Sequence, residues 1–230
     1  MSMPYYVAPE QVMKDRADYA RKGIARGRAL IGSLFAEGII LCAENPSRSL
    51  HKVSEIYDRI AFAGVGKYNE FDQLRVAGIR HADTKGYAYS REDVEARSLA
   101  NIYAQYLGQV FTHEMKPLEV EILVAELGRE SSESRLYHLL YDGTVVDERD
   151  FAVLGGDSEA ISERFRDGFD READLPTALK RSIAALAGHE RTLGATDLEV
   201  AVLVDRTERR TFRRLSADEL EALLKNELES

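Results

Sequence analysis

The residues able to do chemistry are few and scattered. Histidines stand at positions 51, 81, 113, 138 and 189, in different predicted elements and with no i, i+4 pair, so the spacing that presents two imidazoles to one metal is missing. Cys42 is the single cysteine, which excludes an internal disulfide and every CxxC-type redox or metal motif. Two glycine turns invite comparison with phosphate loops. Ala63 to Gly66 is followed by Lys67 but lacks the GxxxxGK[ST] spacing, and Gly155 and Gly156 precede Asp157 and Ser158; both read as backbone turns. Nucleophilic catalysis needs a hydroxyl or thiol beside a base. The first threonine is Thr84, Ser33 and Cys42 are embedded in apolar runs, and Ser2 lies on a short tail with no strand to hold it.

The rest of the chain is ordinary globular material. Of 230 residues, 44% are hydrophobic and 31% charged, enough apolar side chain for a sizeable core. A formal charge of −9 argues against a nucleic-acid binder, which would carry a basic footprint. No apolar stretch approaches the roughly 18 residues of a membrane span, and the N-terminus has no run like that of a signal peptide, so a cytoplasmic protein is expected.

Alternating blocks of strand and helix begin at Arg28. Residues 29–35 (ALIGSLF) and 39–43 (IILCA) flank a predicted three-residue turn ending at Gly38, which makes a buried hairpin. After a polar loop at 45–50, residues 59–64 predict the third strand. Two helices follow, one with Phe71, Leu74 and Gly78 on a face, the other with Leu99, Ile102, Tyr103, Tyr106, Leu107 and Val110 at helical spacing. Ser90 to Asp93 predicts the start of the second, and Pro117 its stop. Strands are predicted again at 120–127, 135–141, 144–146 and 151–154, with Asp142 and Gly143 as a turn. Two more helices carry Ile161, Phe165 and Phe169, then Leu175, Leu179, Ile183 and Leu186. Residues 198–204 and 210–215 close the strands, and Ser216 to Glu219 is a capping box before a last short helix. Runs of strands separated by helix pairs predict two stacked antiparallel sheets covered by helices on both outer faces, a four-layer αββα sandwich of the α+β class. It is expected to occupy 28–230, with a helix at 9–27 and a tail at 1–8.

Residues 9–28 carry six basic and three acidic side chains. The apolar stripe of this helix, Val12, Met13, Ala17, Ala20 and Ile24, is thin, so it is expected to bury too little to be held firmly against its own body and to need a partner surface. A hairpin that opens two stacked sheets is also where N-terminal-nucleophile hydrolases hold their catalytic Thr, Ser or Cys, whose freed α-amine is the base. The corresponding position here is Arg28, with 27 residues ahead of it. No autoprocessed nucleophile is available.

In combination, several stretches resemble the 20S proteasome α-subunit family, most closely its actinobacterial branch, over essentially the full length. They are Tyr19 to Gly23, 35–38 (FAEG), 49–58 (SLHKVSEIYD), 75–88, 101–106 (NIYAQY), 117–121 (PLEVE), 141–143 (YDG) and 198–203 (LEVAVL). The resemblance implies the αββα fold in a heptameric outer ring, stacked on β subunits that hold the catalytic threonine. The α subunit itself would be a non-catalytic gate to the proteolytic chamber. Glu44 and Lys52 lie near where β subunits keep a catalytic acid and lysine. In related α rings the lysine of this SLxKV-like stretch, here Lys52, receives the C-terminal carboxylate of an activating AAA ATPase in a pocket between subunits. Gly27 and Gly66 match glycines that shape it, while Lys67 stands where archaeal relatives usually have leucine. The gate would be Met1, Ser2, Met3, Pro4, Tyr5, Tyr6, Val7 and Ala8 converging on the ring axis, without the Tyr-Asp-Arg motif of archaeal and eukaryotic gates. Substrates tagged with a small Pup-like protein would pass through. No cofactor or metal, nucleic acid or membrane is implied. The competing expectation is a self-compartmentalising N-terminal-nucleophile peptidase acting alone.

Overall fold

A computed structural model describes residues 8–130, 133–205 and 210–225. The first helix, α1 (Pro9–Ala25), starts with a proline whose missing N–H costs nothing there. Strands β1 (Leu30–Phe35) and β2 (Gly38–Glu44) form the expected hairpin, but Phe35 pairs directly with Gly38, so the turn is two residues rather than three. Gly38 has positive φ, and a Cβ there would lie 2.0 Å from the carbonyl oxygen of Leu203, so the adjoining strand allows no side chain. Then come β3 (Val53–Tyr57), β4 (Ile60–Gly66), α2 (Tyr68–Ala88), α3 (Ala96–His113), β5 (Val120–Glu126), β6 (Arg135–Leu139), β7 (Val145–Glu148) and β8 (Phe151–Leu154). The chain continues through α4 (Ser158–Arg166), α5 (Leu175–Ala187), β9 (Leu198–Val204), β10 (Phe212–Arg214) and α6 (Ala217–Lys225).

Two five-stranded antiparallel sheets result, ordered β10-β9-β2-β1-β8 and β3-β4-β5-β6-β7. Alternation along each strand assigns its side chains to layers. Leu30, Leu34, Ile39 and Leu41 face Ala61, Ala63 and Leu123 between the sheets. Ile31, Phe35, Ile40 and Val202 point the other way, to Phe165, Leu179 and Leu186 of α4 and α5. On the far side Phe62, Ile122 and Val124 pack on Phe71, Leu74, Leu99 and Tyr103 of α2 and α3. This is the four-layer αββα sandwich, with α1 added ahead of it.

Three details differ from the expected elements. Strand β3 was not predicted; its register shifts between Glu55 and Tyr57, and such a bulge erases the period-2 signal. Ser90 caps a single 3-10 turn over Arg91–Asp93, and α3 begins only at Ala96. That helix ends at His113, ahead of Pro117. The last capping box forms as expected: the N–H of Glu219 donates to Ser216 Oγ, and the N–H of Ser216 donates to Glu219 Oε2.

The helix α1 is held by more than its stripe. Ala20 and Ile24 are buried beside Tyr141, with Phe111 and Ala17 packed around them. Arg16 adds hydrogen bonds from its guanidinium to the carbonyls of Val110 and Glu114 at the end of α3, and Arg21 lies over the Tyr141 ring. Val12, Met13 and Tyr19 stay exposed.

Candidate functional site

A group of charged residues gathers at the start of β1. Glu44, at the end of β2, is 5% exposed and accepts from Arg28 Nη1 at 2.8 Å and from both Nη atoms of Arg191 at 3.0 and 3.2 Å. A buried carboxylate needs such partners. These groups line an open cleft of about 660 Å³ together with Asp157, Arg164 and His189. None of the residues lining it carries a hydroxyl or a thiol. Cys42 is fully buried in β2, and burial pushes its thiol up to about 12, so it is not a nucleophile. Ser33 is buried and donates to the carbonyl of Leu34, while Thr84 is exposed on α2 and donates to Arg80. At the position expected for a processed nucleophile stands Arg28, linked through Gly27 to α1.

Lys52 lies just before β3, beneath this corner. Its Nζ donates to the carbonyl of Arg28 at 2.6 Å. Burial lowers its pKa to about 8; Glu44 and Glu199 pull it back up and Arg28 pushes it down. Gly27 packs against the end of β4, where a Cβ would come within 3.0 Å of Val65 Cγ1 and 3.3 Å of the backbone nitrogen of Gly66. Gly66 has positive φ, and a Cβ there would sit 1.9 Å from the carbonyl oxygen of Glu119. Lys52, Gly27 and Gly66 therefore meet at one place: the lysine on the carbonyl after Gly27, and the two glycines in contact. Of the expected gate only Ala8 falls among the described residues, as the N-cap of α1; positions 1–7 lie outside them.

Glu199 organises the Lys52 segment and went unnoticed in the sequence reading. It accepts from the backbone N–H of Lys52 and Val53, from Asn45 Nδ2 at 2.7 Å, and pairs with His51 and Arg214. A lone carboxylate inside the apolar strand LEVAVLV was the available signal. Lys67, noted as a departure from archaeal relatives, pairs with Glu119 Oε2 at 2.5 Å.

The histidines stay apart, and among the described residues no group of three or more His, Cys, Asp or Glu could hold a metal ion. His138 on β6 is instead flanked by Glu121 of β5 and Glu148 of β7, at 3.6 and 3.9 Å. Burial opposes its protonation, but the two carboxylates outweigh burial and raise the imidazole to about 9. A folded-state pKa above the ordinary 6.5 gives stability that is complete below pH 6.5 and is lost as pH climbs through 9. The stability gap between the native chain and His138→Gln in urea unfolding is therefore expected to shrink by about 3 kcal/mol between pH 6 and pH 9.5. An equal gap at both would contradict the pairing.

Comparison with known proteins places these features in context. The sequence profile of the family described as "Proteasome subunit" matches residues 24–203. The chain is 72% identical over 224 residues to the protein named Proteasome subunit alpha of Acidimicrobium ferrooxidans, covering 97% of each chain. It is 57% identical to the protein of that name from Sanguibacter keddieii, over 97% of this chain and 90% of that one. It is 54% identical to that of Kineococcus radiotolerans, over 97% and 98%.

Proposed function

Because the chain belongs to the proteasome subunit family, as an α subunit of the proteasome core, we propose that it is a non-catalytic ring and gating subunit. The observation that carries this is Arg28: a side chain clamped on buried Glu44, at the position where a nucleophile would need a free amine. Seven copies form the outer ring, neighbours meeting through the exposed Val12, Met13 and Tyr19 face of α1, and the ring stacks on β subunits that supply the catalytic threonine. Residues 1–8 obstruct the axial pore. The pocket of Lys52, Gly27 and Gly66 receives the C-terminal carboxylate of a proteasomal AAA ATPase. A compact ammonium suits an isolated carboxylate, and one of its three donors is already fixed on the Arg28 carbonyl. Pup-tagged proteins pass through the ring to the β chamber. Cytoplasmic placement accords with the described helices, none of which is long and apolar enough to cross a membrane.

The rival, a peptidase acting alone, has no nucleophile in the cleft to work with. Co-expression with an actinobacterial proteasome β subunit, followed by sizing, tests the proposal. The two chains are expected to co-elute as a stacked-ring particle. Separate elution of both chains as monomers would overturn it.

A further inference from the structure

Beside the pocket, on the side facing α1, Glu119 is almost completely buried, with its side chain 7% exposed, and is paired with two half-exposed lysines. Its Oε2 receives Lys67 at 2.5 Å and Lys116 at 3.0 Å. Its backbone is fixed as firmly: its N–H donates to Glu70 Oε2 at 2.7 Å, and its carbonyl accepts from the N–H of Lys67 at 3.0 Å. Glu70 in turn holds Lys116 at 2.7 Å. The network thus joins the first turn of α2 to the segment between α3 and β5.

The same carboxylate touches α1. A Cβ on Gly23 would lie 2.2 Å from Glu119 Oε1 and 2.6 Å from its Cγ, so Glu119 occupies the space that any other residue at 23 would fill. One helical turn earlier the ammonium of Lys116 lies 5.8 Å from the centre of the Tyr19 ring. Tyr19 and Gly23 are i and i+4, neighbours on one side of the helix. Glu119 also abuts Gly66, because its carbonyl oxygen is what a side chain on Gly66 would strike. One residue therefore abuts both a pocket glycine and the helix that carries the tail.

We propose that Glu119, with Lys67 and Lys116, is the clasp that fixes α1 against the Gly66 end of the pocket and transmits occupation of the pocket to that helix. The inference rests on the docking reading above and assigns its coupling to these side chains. A carboxylate arriving at Lys52 meets the ammonium that sits on the Arg28 carbonyl, next to Gly27. Gly27 abuts Gly66, and the residue that follows Gly66, Lys67, is bound to Glu119. The charge of Lys67, in place of leucine, makes the link ionic and so dependent on a carboxylate at 119.

The test uses the reconstituted particle with a β subunit. The probe is the C-terminal octapeptide of the proteasomal ATPase, with its C-terminal amide as control. Two quantities are read: binding of the octapeptide, and the change it causes in hydrogen exchange of the α1 amides. In Glu119→Gln, binding is expected to stay within about threefold of the native particle, while the α1 response falls about tenfold or more. Lys67→Met, which leaves Lys116 on the Glu119 carboxylate, is expected to reduce the response similarly, and Lys67→Arg to retain it. A full α1 response in Lys67→Met, or in a Glu119→Gln particle, overturns the clasp. Lys52→Ala separates the two failures. If it abolishes binding while Lys67→Met responds fully, only the clasp falls; if it binds the octapeptide normally, the docking reading falls and the clasp with it.

Discussion

Lys52→Ala is expected to weaken docking of an activator ATPase by about 10- to 100-fold while particle assembly and unstimulated hydrolysis of small peptides stay as they were. The magnitude follows from what is removed. A charged hydrogen bond to a carboxylate contributes about 1.5–3 kcal/mol, and 1.4 kcal/mol is tenfold in affinity. The ammonium is pre-positioned by the Arg28 carbonyl at 2.6 Å, so little rotamer freedom remains to be lost on binding. Arginine is not expected to restore docking, since a planar fork does not occupy the site of a compact cation. Burial has lowered the lysine to about 8, so the pocket keeps its charge at pH 7 and loses it as pH rises through 8. ATPase stimulation should accordingly decline above pH 8 in the native particle. Titrating ATPase against native and Lys52→Ala particles checks both points, and indistinguishable curves would sink the assignment.

Removing residues 1–8 is expected to raise hydrolysis of a ten-residue peptide several-fold and to change a tripeptide substrate little. Eight extended residues reach at most about 29 Å. Tails of that reach, leaving α1 at Ala8 in each copy of the proposed ring, can fill an axial opening, and steric exclusion grows with the size of what must pass. No chemistry in the β chamber is touched, so the effect belongs in the apparent KM and rate for the long peptide. Equal rates for the long peptide before and after truncation would show that these residues do not gate.

The hairpin of β1 and β2, the stripes of α3 and α5 and the capping box at Ser216 were legible because each is a local pattern: two apolar runs around a glycine turn, 3.6-residue spacing, or a side chain three residues from its partner. Strand β3 was not, since its bulge at Glu55 to Tyr57 interrupts alternation and it lies at a sheet edge. The grip on α1 was undervalued for a related reason. Counting apolar positions registers Ala20 and Ile24 but is blind to Arg16 on the α3 carbonyls and to Glu119 filling the gap at Gly23. In the site, Lys52, Gly27 and Gly66 came from family likeness, and the contacts among them depend on pairings distant in sequence. Glu199 sits 147 residues from the lysine segment it anchors. Such a separation leaves no local trace beyond one carboxylate in an apolar strand.

The negative finding about Arg28 rests on position and on charge alike. Glu44 is taken up by two guanidiniums, and none of the residues lining its cleft carries a hydroxyl or a thiol. On the proposed function, the chain contributes shape, assembly and control of access to a catalytic partner. The most direct measurement is hydrolysis of a fluorogenic peptide by the purified chain alone and again after assembly with a β subunit. The account predicts no turnover above background in the first case and threonine-dependent turnover in the second. Turnover by the chain alone, surviving in Lys52→Ala and lost on replacing a residue of its own cleft, would contradict it.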